Sequence, residues 1–139
     1  MNEKEYGEVI KAALAARDLS VAPFSNFKVG AAVRTDSGKI FTGCNIESAS
    51  YGLTVCAERV AIWKALSEGE RGFTELAIAA DTETLTPPCG TCRQIIWEFA
   101  RNADIVLVNL RGNHERLRME DLLPRAFDAR FLKEFAGHR

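Results

Sequence analysis

Segments with helical and strand-like patterning alternate along the 139 residues, which predicts a layered α/β fold in which helices cover a sheet. Three observations carry this expectation. Residues 3 to 17 place Val9, Ile10, Ala13 and Leu14 at helical spacing. Residues 27 to 34 and 39 to 44 read as two strands joined by Thr35-Asp36-Ser37-Gly38, an antiparallel hairpin. Two helical runs, ERVAIWKALSEG and RQIIWEFARN, are then interleaved with the apolar strand-like stretches 76–80 and 104–110. No linker or repeat interrupts the pattern, so residues 1–139 are expected to form one domain.

Taken in order, the first helix gives way to an irregular stretch around Pro23, and Phe27 opens the hairpin. A loop from Asn45 to Thr54 leads into the helix that follows Cys56. Leu76 to Ala80 reads as a buried strand, and a Pro-rich approach precedes Cys89 and the next helix. Asp104 to Leu110 is the following strand, with a weaker one near Glu115 to Met119 and a short helix after Phe127.

Hydrophobic residues make up 47% of the chain, enough for a sizeable core. The formal net charge is -1 and the pI about 6.1. Such a balance gives no general field to hold a polyanion, which argues against nucleic acid as a partner and for a neutral small molecule. The basic stretch RGNHERLR at 111 to 118 contains a Gly-Asn pair between strand-like runs and reads as a solvated hairpin. The N-terminus lacks the basic-then-apolar order of a signal peptide, and no apolar run approaches the ~18 residues of a membrane span. The protein is therefore expected to be soluble and cytoplasmic, with no membrane partner. Its four cysteines then point to metal or redox chemistry, because that compartment keeps thiols reduced.

The cysteines fall into an informative pattern: Cys56-Ala57-Glu58, then Pro88-Cys89-Gly90-Thr91-Cys92. If Cys89 opens a helix, Cys92 lies on the same face one turn on, and both thiolates can grip one ion. Glu58, two residues from Cys56, points around the axis from it and is placed beside a metal-bound water rather than on the metal. Three protein ligands and an open fourth position describe a catalytic zinc site. Both cysteine clusters precede helical runs, so the helix N-termini favour thiolate. Two other readings use the same residues. A Cys-x-x-Cys at a helix start is also a thioredoxin-like motif, and a closed structural site would need a fourth ligand from Cys44, His114 or His138. Cys44 sits in the apolar, strand-like KIFTGCNI and reads as a small buried hydrophobe.

These motifs, together with FSNFKVGAAV at 24–33, GCNIESASYGLTVCAERVAI at 43–62, PCGTCRQ at 88–94 and LLPRAF at 122–127, resemble the cytidine deaminases of the small, single-domain, homotetrameric kind. The resemblance runs nearly end to end. It implies a three-layer α/β/α fold with a mixed, roughly five-stranded sheet, and one zinc ion per subunit on Cys56, Cys89 and Cys92. The activity it implies is hydrolytic deamination of cytidine and 2'-deoxycytidine in pyrimidine salvage, with ammonia released. A zinc-bound hydroxide would attack C4 of the ring while Glu58 moves protons as both base and acid.

The resemblance also implies substrate contacts from Phe27, Asn45, Ile46, Glu47 and Ala57, with Asn45 and Glu47 bonding the ribose 3'-hydroxyl and Phe27 packing on the pyrimidine. Asn45 and Glu47, two apart in an extended segment, would face the same way, and a carboxylate there would repel phosphate. Phe127 is implied to enter a neighbouring subunit's pocket, completing its active site in a homotetramer; core packing is the competing reading. Arg59 and Arg93, each close to a ligand, are candidates for hydrogen bonds to sulfur that offset the negative charge of three thiolates. Trp97 is assigned to packing. Two positions depart from the family pattern: Ser48, where asparagine often follows the glutamate, and Arg125, at a commonly small site. A deaminase of aminonucleoside antibiotics, a polynucleotide editor, a non-catalytic zinc module and a thiol oxidoreductase are the rival functions.

Overall fold

The structure, a computed structural model, describes residues 3–136. Its helix α1 (Glu3–Arg17) is followed by β1 (Val29–Thr35) and β2 (Ile40–Cys44), and a single 3-10 turn (Tyr51–Leu53) precedes α2 (Ala57–Ser67). Then come β3 (Phe73–Ala80), α3 (Gly90–Ala100), β4 (Asp104–Val108), β5 (His114–Leu117), the short α4 (Met119–Leu122) and α5 (Ala129–Ala136). The five strands form one sheet in the order β2-β1-β3-β4-β5. Only β3 and β4 run parallel, as a strand–helix–strand crossover through α3 requires; the other pairs are antiparallel. The sheet is mixed and five-stranded.

Alternation along the central strands splits the core into two layers. Leu76, Ile78 and Ala80 of β3 face α2 and α3, where Ala57, Ala61, Ile62, Cys92 and Ile96 are buried with them. Ala77 and Ala79 face the other way, with Ala32, Val106 and Val108, onto Val9 and Ala13 of α1. Small residues on that side let the helix lie close. At Gly30 a Cβ would come 2.1 Å from the Ala13 carbonyl oxygen. Gly43 plays the same part on the other face: its Cβ would sit 2.5 Å from the Ala57 carbonyl oxygen. This glycine therefore lets the first turn of α2 rest directly on β2.

The first helix spans the predicted residues, and the other elements appear in the predicted order with shifted ends. Phe27 does not start the first strand, which begins at Val29. The third strand is longer than its apolar run, because Glu75 is buried within it against Arg34, whose Nε donates to its carboxylate at 2.9 Å. The fourth strand stops at Val108, where Asn109 Oδ1 accepts the backbone N–H groups of Arg111 and Asn113 and Gly112 turns with a positive φ of 85°. The expected strand over 115–119 is shifted to His114–Leu117, and Met119 opens α4 instead.

Candidate active site

Cys56 and Cys89 are the N-cap residues of α2 and α3, both in extended backbone, and neither sulfur bonds to its own helix. Each is therefore free to face the other helix. Cys56 Sγ and Cys89 Sγ lie 3.7 Å apart, and Cys92, buried one turn into α3, brings its sulfur within 4.8 Å of both. Two thiolates bound at 2.3 Å to one tetrahedral ion are about 3.8 Å apart. The three sulfurs thus match zinc in ligand chemistry and in spacing. Among the described residues no other cysteine, histidine or carboxylate joins the group. Cys44 donates instead to the Leu19 carbonyl at 3.4 Å, His114 lies on the edge strand β5, and His138 is outside the described residues.

Without metal the triad shares its charge unequally. A hydrogen bond from Cys92, helped by Arg59 and Cys89, lowers the Cys56 pKa to about 5. The same bond and burial hold the Cys92 thiol far above its usual range. Zinc binding displaces such protons. Glu58 follows in the first turn of α2 and is 4% exposed; burial raises its carboxyl pKa to about 7. Arg59 Nη2 stands 3.8 Å from Cys56 Sγ and 3.4 Å from the Thr54 carbonyl oxygen, and its guanidinium lies 5.7 Å from the centre of the Trp63 ring. Arg93 does not reach sulfur. Its Nε and Nη1 donate to the carbonyls of Pro88 and Leu122 at 2.8 and 3.0 Å, so it ties the C-terminal segment to the start of α3.

Beside the sulfurs opens a cavity of about 180 Å³ lined by Cys56, Ala57, Glu58 and Cys89 at one end and by Phe27, Val29 and Asn45 elsewhere. Thr86 and Pro87 also line it; beyond the Pro-rich approach to Cys89, no local signal marks them. Phe27 is 42% exposed and is not a core aromatic. The carboxamide of Asn45 is bound into the fold: Oδ1 accepts from Val29 N at 2.9 Å and from Ser20 Oγ, while Nδ2 donates to the Phe27 carbonyl at 2.7 Å. This network fixes the entry into β1 and leaves one amide N–H of Asn45 for another partner.

Glu47 does not line this cavity but an adjoining one with Phe24, Ser25, Tyr51 and Thr54. Its carboxylate accepts from Ser25 Oγ and from the Phe24 and Ser25 backbone N–H groups, bonds that hold its pKa below the usual range. Ile46, between them, is exposed while its backbone pairs with Val21 and Val55. Phe127 is 56% exposed and stacks on Phe131, ring centres 5.8 Å apart. It is packed neither in the core nor in its own chain's cavity. Arg125, two residues before it, has a positive φ of 55°, a region that non-glycine residues adopt uncommonly.

The sequence profile described as the cytidine and deoxycytidylate deaminase zinc-binding region matches residues 3–108. The chain belongs to this family. It is 46% identical over 122 residues to a cytidine deaminase of Halalkalibacterium halodurans, covering 87% of this chain and 92% of that protein. With a cytidine deaminase of Sporosarcina psychrophila the identity is 48%, over 81% and 83% of the two chains. The crystal structure of a Burkholderia pseudomallei cytidine deaminase superposes with a TM-score of 0.84 at 45% identity, covering 91% of this chain and all of that one. Membership of this deaminase family makes the protein a hydrolytic enzyme and agrees with the zinc ligand chemistry of the three sulfurs.

Proposed function

We propose that this chain is a zinc-dependent cytidine deaminase, converting cytidine and 2'-deoxycytidine with water to uridine and 2'-deoxyuridine and releasing ammonia. The observation that carries the reading is the placement of buried Glu58 in the wall of the same cavity that exposes sulfurs at zinc spacing. Cys56, Cys89 and Cys92 would hold the zinc ion, which would supply Lewis acidity and make water ionisable near neutral pH. Glu58 takes a proton from the water whose oxygen bonds to the ring carbon that bears the amine, and passes it to the adjacent ring nitrogen N3. It then carries the remaining proton of the resulting hydroxyl to the amine as the C–N bond breaks and the carbonyl forms, so one carboxyl works in both directions. Burial keeps bulk water from competing for those protons. Arg59, by its contact with Cys56 Sγ, offsets charge that three thiolates would otherwise place on the ion.

Phe27 covers the pyrimidine, Ile46 and Ala57 contribute backbone and apolar surface, and Asn45 with Glu47 takes the ribose. Glu47 is anionic at neutral pH and stands in the adjoining hollow, which supports nucleoside over nucleotide as substrate. Phe27, Tyr51, Leu53 and Phe127 are exposed in the single chain, in keeping with a homotetramer in which Phe127 completes a neighbour's site. Among the described residues no helix is long and apolar enough to cross a membrane. Unpaired thiols at this site suit the reducing cytoplasm and a place in pyrimidine salvage.

The test is loss of the cytidine absorbance band with ammonia release, repeated after chelation and with Glu58→Gln. The expected outcome is turnover that chelation abolishes and that Glu58→Gln lowers by about 10⁴, at the upper end for one proton-transferring group, with zinc content unchanged. Turnover by the chelated protein, or by Glu58→Gln at the original rate, rejects the reading. An antibiotic deaminase or polynucleotide editor would instead leave free cytidine untouched.

A further inference from the structure

Helix α3 does more than present Cys89 and Cys92. Along one side, Gln94 and Trp97, with Arg101 at the C-cap, reach out to the irregular segment between α4 and α5, while Arg93 donates to the Leu122 carbonyl at the end of α4. Gln94 Nε2 donates to the carbonyl of Phe127 itself at 2.9 Å. Trp97 Nε1 and Arg101 Nη2 donate to Asp128 Oδ2 at 3.1 and 3.3 Å. On the other side, Arg130 donates its backbone N–H and its Nε to Asp128 Oδ1 at 3.0 and 2.8 Å. The Asp128 side chain is only 4% exposed, although Phe127 next to it is 56% exposed. A buried carboxylate whose oxygens both accept charge-assisted bonds is held in one geometry, and here it sits at the start of α5, where it fixes the direction in which the chain leaves.

From this geometry we infer that Asp128 is a positioning residue for substrate binding: clamped by Trp97, Arg101 and Arg130, it sets the angle at which Phe127 projects into the neighbouring subunit's site. The inference rests on the reading above that Phe127 completes that site. An aromatic on an irregular exposed segment would otherwise sample many directions, and ordering it at each binding event would weaken the complex by the entropy so lost. The clamp removes that cost in advance. It also makes α3 a common frame: the helix that carries one chain's sulfur ligands holds the aromatic offered to the next chain.

The experiment compares full-length, zinc-loaded wild type with Phe127→Ala, Asp128→Asn, Trp97→Phe and the double variant Phe127→Ala/Asp128→Asn. The readouts are kcat and KM for cytidine, zinc content and sedimentation. Trp97→Phe keeps an aromatic ring beside Arg101 while removing the N–H with the fused ring, so it tests the clamp by a second route even if Asp128→Asn folds poorly. The inference expects Asp128→Asn to raise KM about tenfold and Trp97→Phe less, with kcat within about twofold, as for a loss of binding alone. Zinc stoichiometry and assembly should be unchanged. In the Phe127→Ala background Asp128→Asn should add nothing, since the two act through one side chain. Additive losses in the double variant, or a wild-type KM in both clamp variants, overturn the inference while leaving the role of Phe127 intact. A wild-type KM in Phe127→Ala itself refutes the reading on which it rests, and no cytidine turnover by wild type refutes the assigned reaction.

Discussion

At the sulfur end of the cavity, Cys56, Glu58, Cys89 and Cys92 are set by two helix starts packed on one sheet, and Glu58 and Cys92 are buried. The second group, the lip, is scattered: Phe27 lines the cavity, Glu47 an adjoining hollow and Phe127 neither, and with Ile46 they stand on irregular segments, the three apolar ones between 42% and 56% exposed. The first group is completed within a single chain, by burial and helix geometry. The second is held by hydrogen bonds to backbone, Asn45 to Phe27 and Val29 and Glu47 to Phe24 and Ser25, and leaves apolar surface in solvent. The difference teaches how each group is set: the sulfurs and Glu58 by the packed fold, the lip by local hydrogen bonds on irregular segments.

The sharpest break of this comparison is Cys92→Ser. Cys92 is the ligand with no solvent exposure, and a serine hydroxyl is a far poorer zinc ligand than thiolate. Metal analysis should find the variant essentially without zinc, and cytidine turnover should fall below detection. Next in size is Gly43→Ala, which tests whether the frame alone sets the sulfurs. The added methyl would meet the Ala57 carbonyl oxygen at 2.5 Å and Ala61 N at 2.6 Å, both backbone atoms of α2, so the helix carrying Glu58 must shift. Overpacking of this kind costs about 1–3 kcal/mol, and the unfolding midpoint in denaturant should drop accordingly. Zinc affinity, measured by competition with a chromophoric chelator, should fall with it, although no ligand has been changed.

At the lip the expected effect is smaller and of a different kind. Phe27→Ala removes an aromatic that lines the cavity without entering the core. Losing part of its contact with a pyrimidine should raise KM by about tenfold, equivalent to about 1.4 kcal/mol, with zinc content and midpoint near wild type. A large loss of zinc in Phe27→Ala would erase the distinction between the two regions.

The same division explains what the sequence made legible. The sulfur site was readable because its information is local: ligand type, helical spacing and N-terminal position all lie within a few residues of Cys56 and Cys89. The fold was readable where apolar periodicity was undisturbed, and obscured where a long-range partner changed a residue's burial. Glu75 hid the start of β3 because the arginine that neutralises it is 41 residues away. The lip was less legible for the same reason. Glu47 and Asn45 were expected to face one way, yet they line adjoining hollows, since Ser20 holds one and Ser25 the other. Arg93 was placed near sulfur by its neighbourhood in sequence, while its partners are carbonyls, one of them Leu122.

The smallest effect concerns pH and belongs to the anchor of the lip. Hydrogen bonds from Arg130 and Trp97 hold the Asp128 carboxyl well below the usual carboxylate range. The groups facing it are Trp97 on α3, Arg101 at its C-cap and Arg130 on α5; both ionised partners are cationic. A carboxyl whose folded pKa is depressed contributes stability that is present above its unfolded pKa, about 3.9, and is lost as pH falls through that value toward the folded one. Asparagine at 128 has the shape without the charge. Wild type should therefore unfold at a higher midpoint than Asp128→Asn at pH 7, with the gap constant down to about pH 5 and narrowing below about pH 4. Acid release of zinc acts on both proteins alike and cancels in the difference. A gap that widens on acidification would mean that the carboxyl is held protonated, in which case Asp128 contributes neutral hydrogen bonds and no charge pairing.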